Sequence, residues 1–284
     1  MGEGRRPGAT TSRPVTVVED GSSRVGPDEL ATEEPMEIRV TAGGERETVA
    51  VTMRTPGADF ELAAGFLFSE GVIAARQDVR RIRYCVDRDV GEDQRYNVVT
   101  VDLARASLPG LEVLERHFAT TSACGVCGKA SLDALQVRAR PVTAVASVRA
   151  DVLYGLPGAM RKAQGVFAST GGLHAAALFA TDGELVALRE DVGRHNAVDK
   201  LVGWALMEHR MPLDSYTLMV SGRSSYEIVQ KAVTAGIPVV CAVSAPSSLA
   251  VDVARAFGVT LIGFLRERRF NVYAGHERVL VASG

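Results

Sequence analysis

The chain has few cysteines, no long apolar run, and no excess of charge of either sign. Four cysteines in 284 residues do not make a disulfide framework. No apolar stretch approaches the ~20 residues that cross a bilayer, which predicts a soluble protein with no membrane partner. Arg5-Arg6 near the start is followed by no apolar segment, so no secretory or twin-arginine signal is legible and a cytoplasmic location is expected. The net charge of −2 lacks the global signature of a nucleic-acid binder, so no nucleic-acid partner is expected. No internal repeat or low-complexity tract is visible. What remains is 46% hydrophobic and 23% charged residues, enough to bury a sizeable core.

Residues 1–30 are rich in Gly, Arg, Pro, Thr and Ser without sustained periodicity; a mobile, disordered tail is expected there, with at most one short strand at Val15-Thr16-Val17-Val18. Met36–Val40 and Thr48–Met53 alternate around Gly43-Gly44 and predict a hairpin. Thr55-Pro56 reads as the cap and first residue of a helix through Glu70, and strands are predicted at 81–86 and 96–103. This half, 31–140, reads as a smaller α+β domain. The second half, 141–284, changes period: helices at 151–162, 196–208, 225–235 and 248–257 alternate with strands at 173–179, 185–189, 216–220, 238–243 and 259–265. That order predicts a three-layer α/β domain whose ligand site is built by loops at strand ends.

The sharpest chemical signal is Thr120-Thr121-Ser122-Ala123-Cys124-Gly125-Val126-Cys127-Gly128-Lys129, ahead of a helix-like stretch. Unpaired amides at a helix start, together with Lys129, favour thiolate over thiol, and thiolate is the form that accepts and passes sulfur. Cys-x-x-Cys alone also occurs in redox pairs and half zinc sites. A closed zinc site needs four ligands, and with no second Cys-x-x-Cys the others would have to come from isolated residues such as His117 or His174, so no metal site is expected. Cys85 and Cys241 lie in apolar runs and read as small core residues. A second dense region, Glu190–Lys200, gathers Asp191, Arg194, His195, Asn196, Asp199 and Lys200 at a strand-to-helix junction. Its bland reading is a capped helix with solvated charges. Ser221-Gly222-Arg223 follows a buried strand and precedes a helix, a placement suited to an anion or to a simple turn.

These segments together resemble the formate dehydrogenase accessory sulfurtransferase family. The resemblance runs in order through Glu34–Arg39, Thr52–Gly57, Cys124–Lys129, Thr170–Ala176, Glu190–Lys200, Ser221–Arg223 and Phe270–Tyr273, covering about residues 30–276. It implies a homodimer that takes sulfur from a cysteine desulfurase as a persulfide on Cys124, with Cys127 as helper. The sulfur then passes to the molybdenum or tungsten bis(molybdopterin guanine dinucleotide) cofactor, a bound substrate whose place GDP or GMP can take, on behalf of the formate dehydrogenase catalytic subunit. The cofactor's two pyrophosphates call for glycine turns and arginines. The residues assigned to it are His174, Arg194, His195, Ser221, Gly222, Arg223 and the stretch Phe264, Leu265, Arg266, Glu267, Arg268, Arg269, whose arginines read otherwise as an exposed hairpin tip. The resemblance also implies a cytidine-deaminase-like fold for 141–284. There Leu173-His174-Ala175-Ala176 matches the deaminase His-x-Glu with Ala176 in place of the glutamate, so no hydrolytic deamination is expected. The alternative function is a non-catalytic carrier that binds and delivers the cofactor, and a zinc-stabilised binding module is a third reading.

Overall fold

The computed structural model describes residues 7–85, 96–108, 135, 140–143 and 146–281. The chain starts with an antiparallel hairpin, β1 (Thr10–Glu19) and β2 (Ser22–Ala31), paired from Thr10↔Ala31 to Glu19↔Ser22. This corrects the expectation of a disordered tail over 1–30 with one short strand. Asp20 and Gly21 both take positive φ, 51° and 76°, the two-residue turn that matches the twist of paired strands. The partner strand was hidden because Gly26-Pro27-Asp28 carries no strand period.

β3 (Glu34–Ala42) and β4 (Glu45–Arg54) form the predicted hairpin around Gly43-Gly44. A Cβ on Gly43 would lie 2.0 Å from the carbonyl oxygen of Ala106, so only glycine fits this turn. β3 points Met36, Ile38, Val40 and Ala42 inward in a period of two. β5 (Val79–Tyr84) and β6 (Val98–Leu103) complete a four-stranded sheet of order β4-β3-β6-β5, with β6 parallel to β3. The helix α1 (Asp59–Ser69) covers it. It starts later than the Thr55-Pro56 signal predicts, after Ala58 in the left-handed region at φ 55°, because Thr55 is recruited to a tertiary contact described below.

In the second half, β7 (Val148–Arg149) leads into α2 (Ala150–Ala163) and α3 (Gly165–Thr170). Then come β8 (His174–Phe179), β9 (Leu185–Asp191), α4 (Arg194–Met207) and β10 (Thr217–Val220). α5 (Tyr226–Ala235), β11 (Val239–Ala242), α6 (Ser248–Phe257), β12 (Thr260–Arg266), β13 (Arg269–Ala274) and β14 (Val279–Leu280) follow. The six-stranded sheet has the order β13-β12-β11-β10-β8-β9; β10, β11 and β12 are parallel, and β8 runs against both its neighbours. Alternate residues of β8 serve two apolar clusters. Ala175, Ala177 and Phe179 meet Leu153, Leu156 and Met160 of α2, while Ala176 and Leu178 join the cluster holding Leu201 and Val202 of α4.

That second cluster does not stop at the expected division near residue 140. Met36, Ile38, Leu62 and Leu67 belong to it together with Leu201, Ile228 and Phe257. The halves meet where α1 crosses α4 at two glycines. A Cβ on Gly65 would lie 1.8 Å from the carbonyl oxygen of Asp199, and one on Gly203 would lie 1.9 Å from that of Glu61. The backbones touch, which only paired glycines permit.

Candidate functional site

Most of the dense Glu190–Lys200 region is spent on joining the halves. Asp191, fully buried at the end of β9, accepts hydrogen bonds from the amides of Thr55 (3.1 Å) and Gly193 (2.8 Å) and from Nδ2 of Asn196 (3.1 Å). Lys200 Nζ lies 2.7 Å from Asp191 Oδ2 and donates to the carbonyl of Thr55 at 2.8 Å. Thr55 Oγ1 accepts from the amide of Val192 at 3.2 Å, and Asn196 donates to the carbonyl of Met53 at 2.7 Å. One turn on, Asp199 accepts from Ser69 (2.9 Å) and from buried Lys231 (2.8 and 2.9 Å). Burial works against the Lys231 cation, but the adjacent Asp199 carboxylate raises its pKa above the ordinary lysine value. Asn196, Asp199, Lys200 and Gly203 recur at helical spacing, so a single face of α4 carries the whole seam.

Arg194 and His195, in the first turn of α4, are left for other work. His174 opens β8 opposite Asp191, and Gly222 follows β10. A Cβ on Gly222 would come 3.3 Å from His174 Nδ1 and 3.9 Å from Arg194 Cδ, so the bare glycine lets imidazole and guanidinium stem close over the loop. Ser221 extends the β8–β10 ladder: its amide donates to the carbonyl of Ala175 at 3.0 Å, and its hydroxyl accepts from the Ala175 amide at 2.8 Å. Arg223 is exposed. His195 Nε2 is 3.0 Å from the hydroxyl of Ser225 and 3.6 Å from Glu227. Two buried polar atoms nearby have no hydrogen-bond partner among the described residues, Nε of Arg194 and Oγ of the fully buried Ser224.

The charge pattern follows from this crowding. Burial, then the neighbouring Arg194 cation, brings His195 down to about 4, with Glu227 opposing, so the ring is neutral at pH 7. His174 is lowered by the same two causes in the same order, against the pull of Asp191. Burial would raise the Glu227 carboxyl, but hydrogen bonds from Ser225 and its own backbone bring it below the usual glutamate value. Arg194 is therefore the fixed cation among these side chains. Because β9, β10 and β11 end on one edge of the sheet, α4, α5 and α6 all begin at that edge, which gathers three helix N-termini there.

The stretch Phe264–Arg269 reaches the same edge at the end of β12. The Phe264 amide donates to the carbonyl of Ser244 at 3.2 Å, and the turn holds Phe264 and Glu267 at positive φ (52° and 37°). Arg266, Glu267, Arg268 and Arg269 are exposed. The side chain of Leu265 is fully buried in the core, so this residue can offer a ligand only its backbone. Cys124 and Cys127 lie outside the described residues, as does His117. Cys85 and Cys241 are buried as the sequence predicts, and burial pushes the Cys241 thiol up. Ala176 is enclosed in the core on the same strand face as His174. Among the described residues no group of three or more His, Cys, Asp or Glu is placed to hold a metal ion, and no helix is long and apolar enough to cross a membrane. A cavity of about 630 Å³ lined by Phe68, Arg76, Arg140, His209 and Val233 takes in the other end of α5 and includes none of the residues singled out from the sequence. Ser224, Ser225 and Glu227 escaped the sequence reading; the signal available was a serine pair at a helix start followed by an acidic residue in its first turn.

This geometry defines an open-sheet α/β protein with a cluster of polar side chains at the carboxyl ends of its parallel strands. More particularly, the chain belongs to the FdhD/NarQ family, whose model matches residues 31–280. It is 55% identical over 275 residues to a protein of Mycolicibacterium paratuberculosis named Sulfur carrier protein FdhD, covering 95% of this chain and 98% of that one. Proteins of the same name are 54% identical in Streptomyces coelicolor (277 residues, 95% of each) and 47% identical in Sulfurisphaera tokodaii (266 residues, 94% and 97%). The crystal structure of a protein described as a formate dehydrogenase accessory protein from Desulfotalea psychrophila superposes with a TM-score of 0.74. At 24% identity, over 96% of this chain and 100% of that one, it establishes likeness of fold.

Proposed function

We propose that this chain is a cytoplasmic sulfurtransferase that receives sulfur from a cysteine desulfurase as a persulfide on Cys124. It passes that sulfur, with Cys127 assisting, to the bis(molybdopterin guanine dinucleotide) cofactor destined for formate dehydrogenase, and it works as a homodimer. The names of relatives more than half identical to it support the sulfur-carrying role. The observation that carries the site assignment is the pair of buried atoms without a partner among the described residues, Arg194 Nε and Ser224 Oγ, at the sheet edge where helices α4, α5 and α6 begin. A buried donor without a partner costs stability unless a ligand satisfies it, and a phosphate oxygen suits a guanidinium among helix amides.

In this reading Arg194 binds a phosphate, Gly222 keeps the approach open, and neutral His174 and His195 offer ring nitrogens without adding repulsion between cations. Exposed Arg223, Arg266, Arg268 and Arg269 attract the anionic substrate to the rim. The deaminase-like reading of 141–284 is supported by the sheet order, in which β8 runs against both neighbours. With Ala176 in the core beside His174, no acid stands ready to move a proton in hydrolysis.

The test is sulfur loading. After incubation with a cysteine desulfurase and cysteine, the protein should gain the mass of one sulfur atom, mapped by peptide to Cys124 and lost in Cys124→Ala, while Cys127→Ala retains some loading. Full formate dehydrogenase activity supported by Cys124→Ala would refute the persulfide and favour the delivery carrier. Independently, Arg194→Ala should weaken GDP binding by calorimetry about ten- to hundredfold, the loss of one charge-assisted hydrogen bond.

A further inference from the structure

The β1–β2 hairpin extends from the body as an arm that has no function in the reading above. Its strands are ten residues long, about 34 Å at ~3.4 Å per residue. Among the described residues it is anchored by its root: the Thr32 amide donates to the carbonyl of Ala9, Ala31 approaches Gly172 just beyond α3, and β2 lies against α3. A two-stranded hairpin is marginal in water without a further layer. From the register, one face presents Pro14, Thr16, Val18, Ser23, Val25 and Pro27, all exposed, with Val18 at 71% and Val25 at 74%. These six positions carry no charge; Glu29, opposite Ser12, brings the face a carboxylate only near the root. Pro14 stands directly opposite Pro27, so neither ring nitrogen can donate and both outer edges lack a donor at mid-length. An added extended peptide is therefore disfavoured, and the arm must dock by its face.

A receiving surface lies beside the arm's own root. β3 begins at Glu34, three residues after the arm ends, and pairs Pro35 with Met53 and Glu37 with Val51. Met53 and Val51 are 46% and 64% exposed on the edge strand β4, which has no partner on its outer side among the described residues. With donor and acceptor adjacent, a twofold axis passing between two roots lets each copy give an arm and receive one. Area favours exchange over two arms merely stacked. A single arm face covers about 330 Å², well short of the ~800 Å² per partner of a stable interface. Giving and receiving an arm doubles that contact, and the surface near the axis adds to it.

We propose that the uncharged outer part of this arm's face, Pro14 to Val18 with Ser23 to Pro27, is an interaction surface for a second copy of this chain, laid on the Val51–Met53 surface of that copy in reciprocal exchange. This rests on the homodimer reading and deepens it. The test is sedimentation velocity on the full chain over a concentration series, with melting curves to verify the fold. The unaltered protein should be a dimer. Val18→Glu/Val25→Glu, both exposed and harmless to the monomer, should raise the dissociation constant at least a hundredfold by placing unpaired carboxylates in the contact, and Val51→Glu should do so from the receiving side. A dimer indifferent to the arm substitutions overturns the arm interface and leaves the homodimer standing. A full chain that is monomeric at about 100 μM, well above the dissociation constant of a specific dimer, overturns both. Dissociation by the arm variant but not by Val51→Glu overturns the docking site.

Discussion

Gly203→Ala should destabilise the protein although alanine is the better helix former. Position 203 lies inside α4, where alanine gains about 1 kcal/mol over glycine in an open helix. Here the new methyl would lie 1.9 Å from the carbonyl oxygen of Glu61, 2.7 Å from its carbon and 2.8 Å from the amide nitrogen of Gly65. All three are backbone atoms of α1 and cannot swing aside. Relief requires the helices to part by more than ~1 Å, which loosens the close-packed layer of Leu62 and Leu201 and strains the bonds from Asp191 to Thr55 and from Lys200 to Thr55. Overpacking of this kind costs about 3 kcal/mol or more. Net of the helix gain, we expect a loss of ~2–3 kcal/mol and a fall in Tm of ~5–10 °C. Gly65→Ala should behave alike, and the double substitution should cost less than the sum, because one separation relieves both clashes. Gly158→Ala is the control. It sits in α2 with nothing within 4 Å of its would-be Cβ and should be neutral or stabilising by up to about 1 kcal/mol. Urea denaturation reads all four. If Gly203→Ala matches Gly158→Ala, the helices do not cross at the glycines and the joint between the halves has been misplaced.

Lys200→Met should cost about 3–5 kcal/mol by leaving the buried Asp191 carboxylate without its cation, and adding Asp191→Asn should recover part of that loss in a double-mutant cycle. In proton NMR, His195 should titrate near 4, and Arg194→Gln should raise that midpoint because it removes a cation that opposes protonation. The sign for stability follows. An unfolded histidine binds its proton near ~6.5, so the contribution of neutral His195 is complete above that pH and is lost as pH falls from there through about 4. His195→Asn should flatten the decline in melting temperature across that window. A thiol reagent should leave Cys85 and Cys241 unlabelled in the folded protein and label both in denaturant; rapid native labelling at Cys241 would contradict its complete burial.

What was legible in the sequence was local. Apart from the short α3, which the period did not reveal, the strand and helix order from residue 150 to 266 follows from period alone, and Gly43-Gly44 between alternating runs identifies its hairpin. Thr55-Pro56 was misread because its cap signal is outcompeted: Thr55 binds Val192 and Lys200, 137 and 145 positions away, and the helix starts after Ala58 instead. The same distance hid the division of labour in Glu190–Lys200. Counting charges finds a dense patch, but only the partners show that Asp191, Asn196, Asp199 and Lys200 face the first half while Arg194 and His195 stay with the polar cluster at the sheet edge. The arm was missed for a different reason: β2 has no apolar alternation, and its pairing is carried by backbone and by the Asp20-Gly21 turn.

The glycine crossing also sets a schedule for synthesis. Gly65 leaves the ribosome with the rest of α1, but the strip of backbone it rests on, ending at Gly203, is made roughly 140 residues later, about 7–28 s at typical elongation rates. Through that interval Leu62 and Leu67 have no second-half partner, and the Thr55 amide waits for the carboxylate of Asp191. Until α4 emerges and closes the joint, that part of the first half's apolar surface lacks the cover the finished fold gives it.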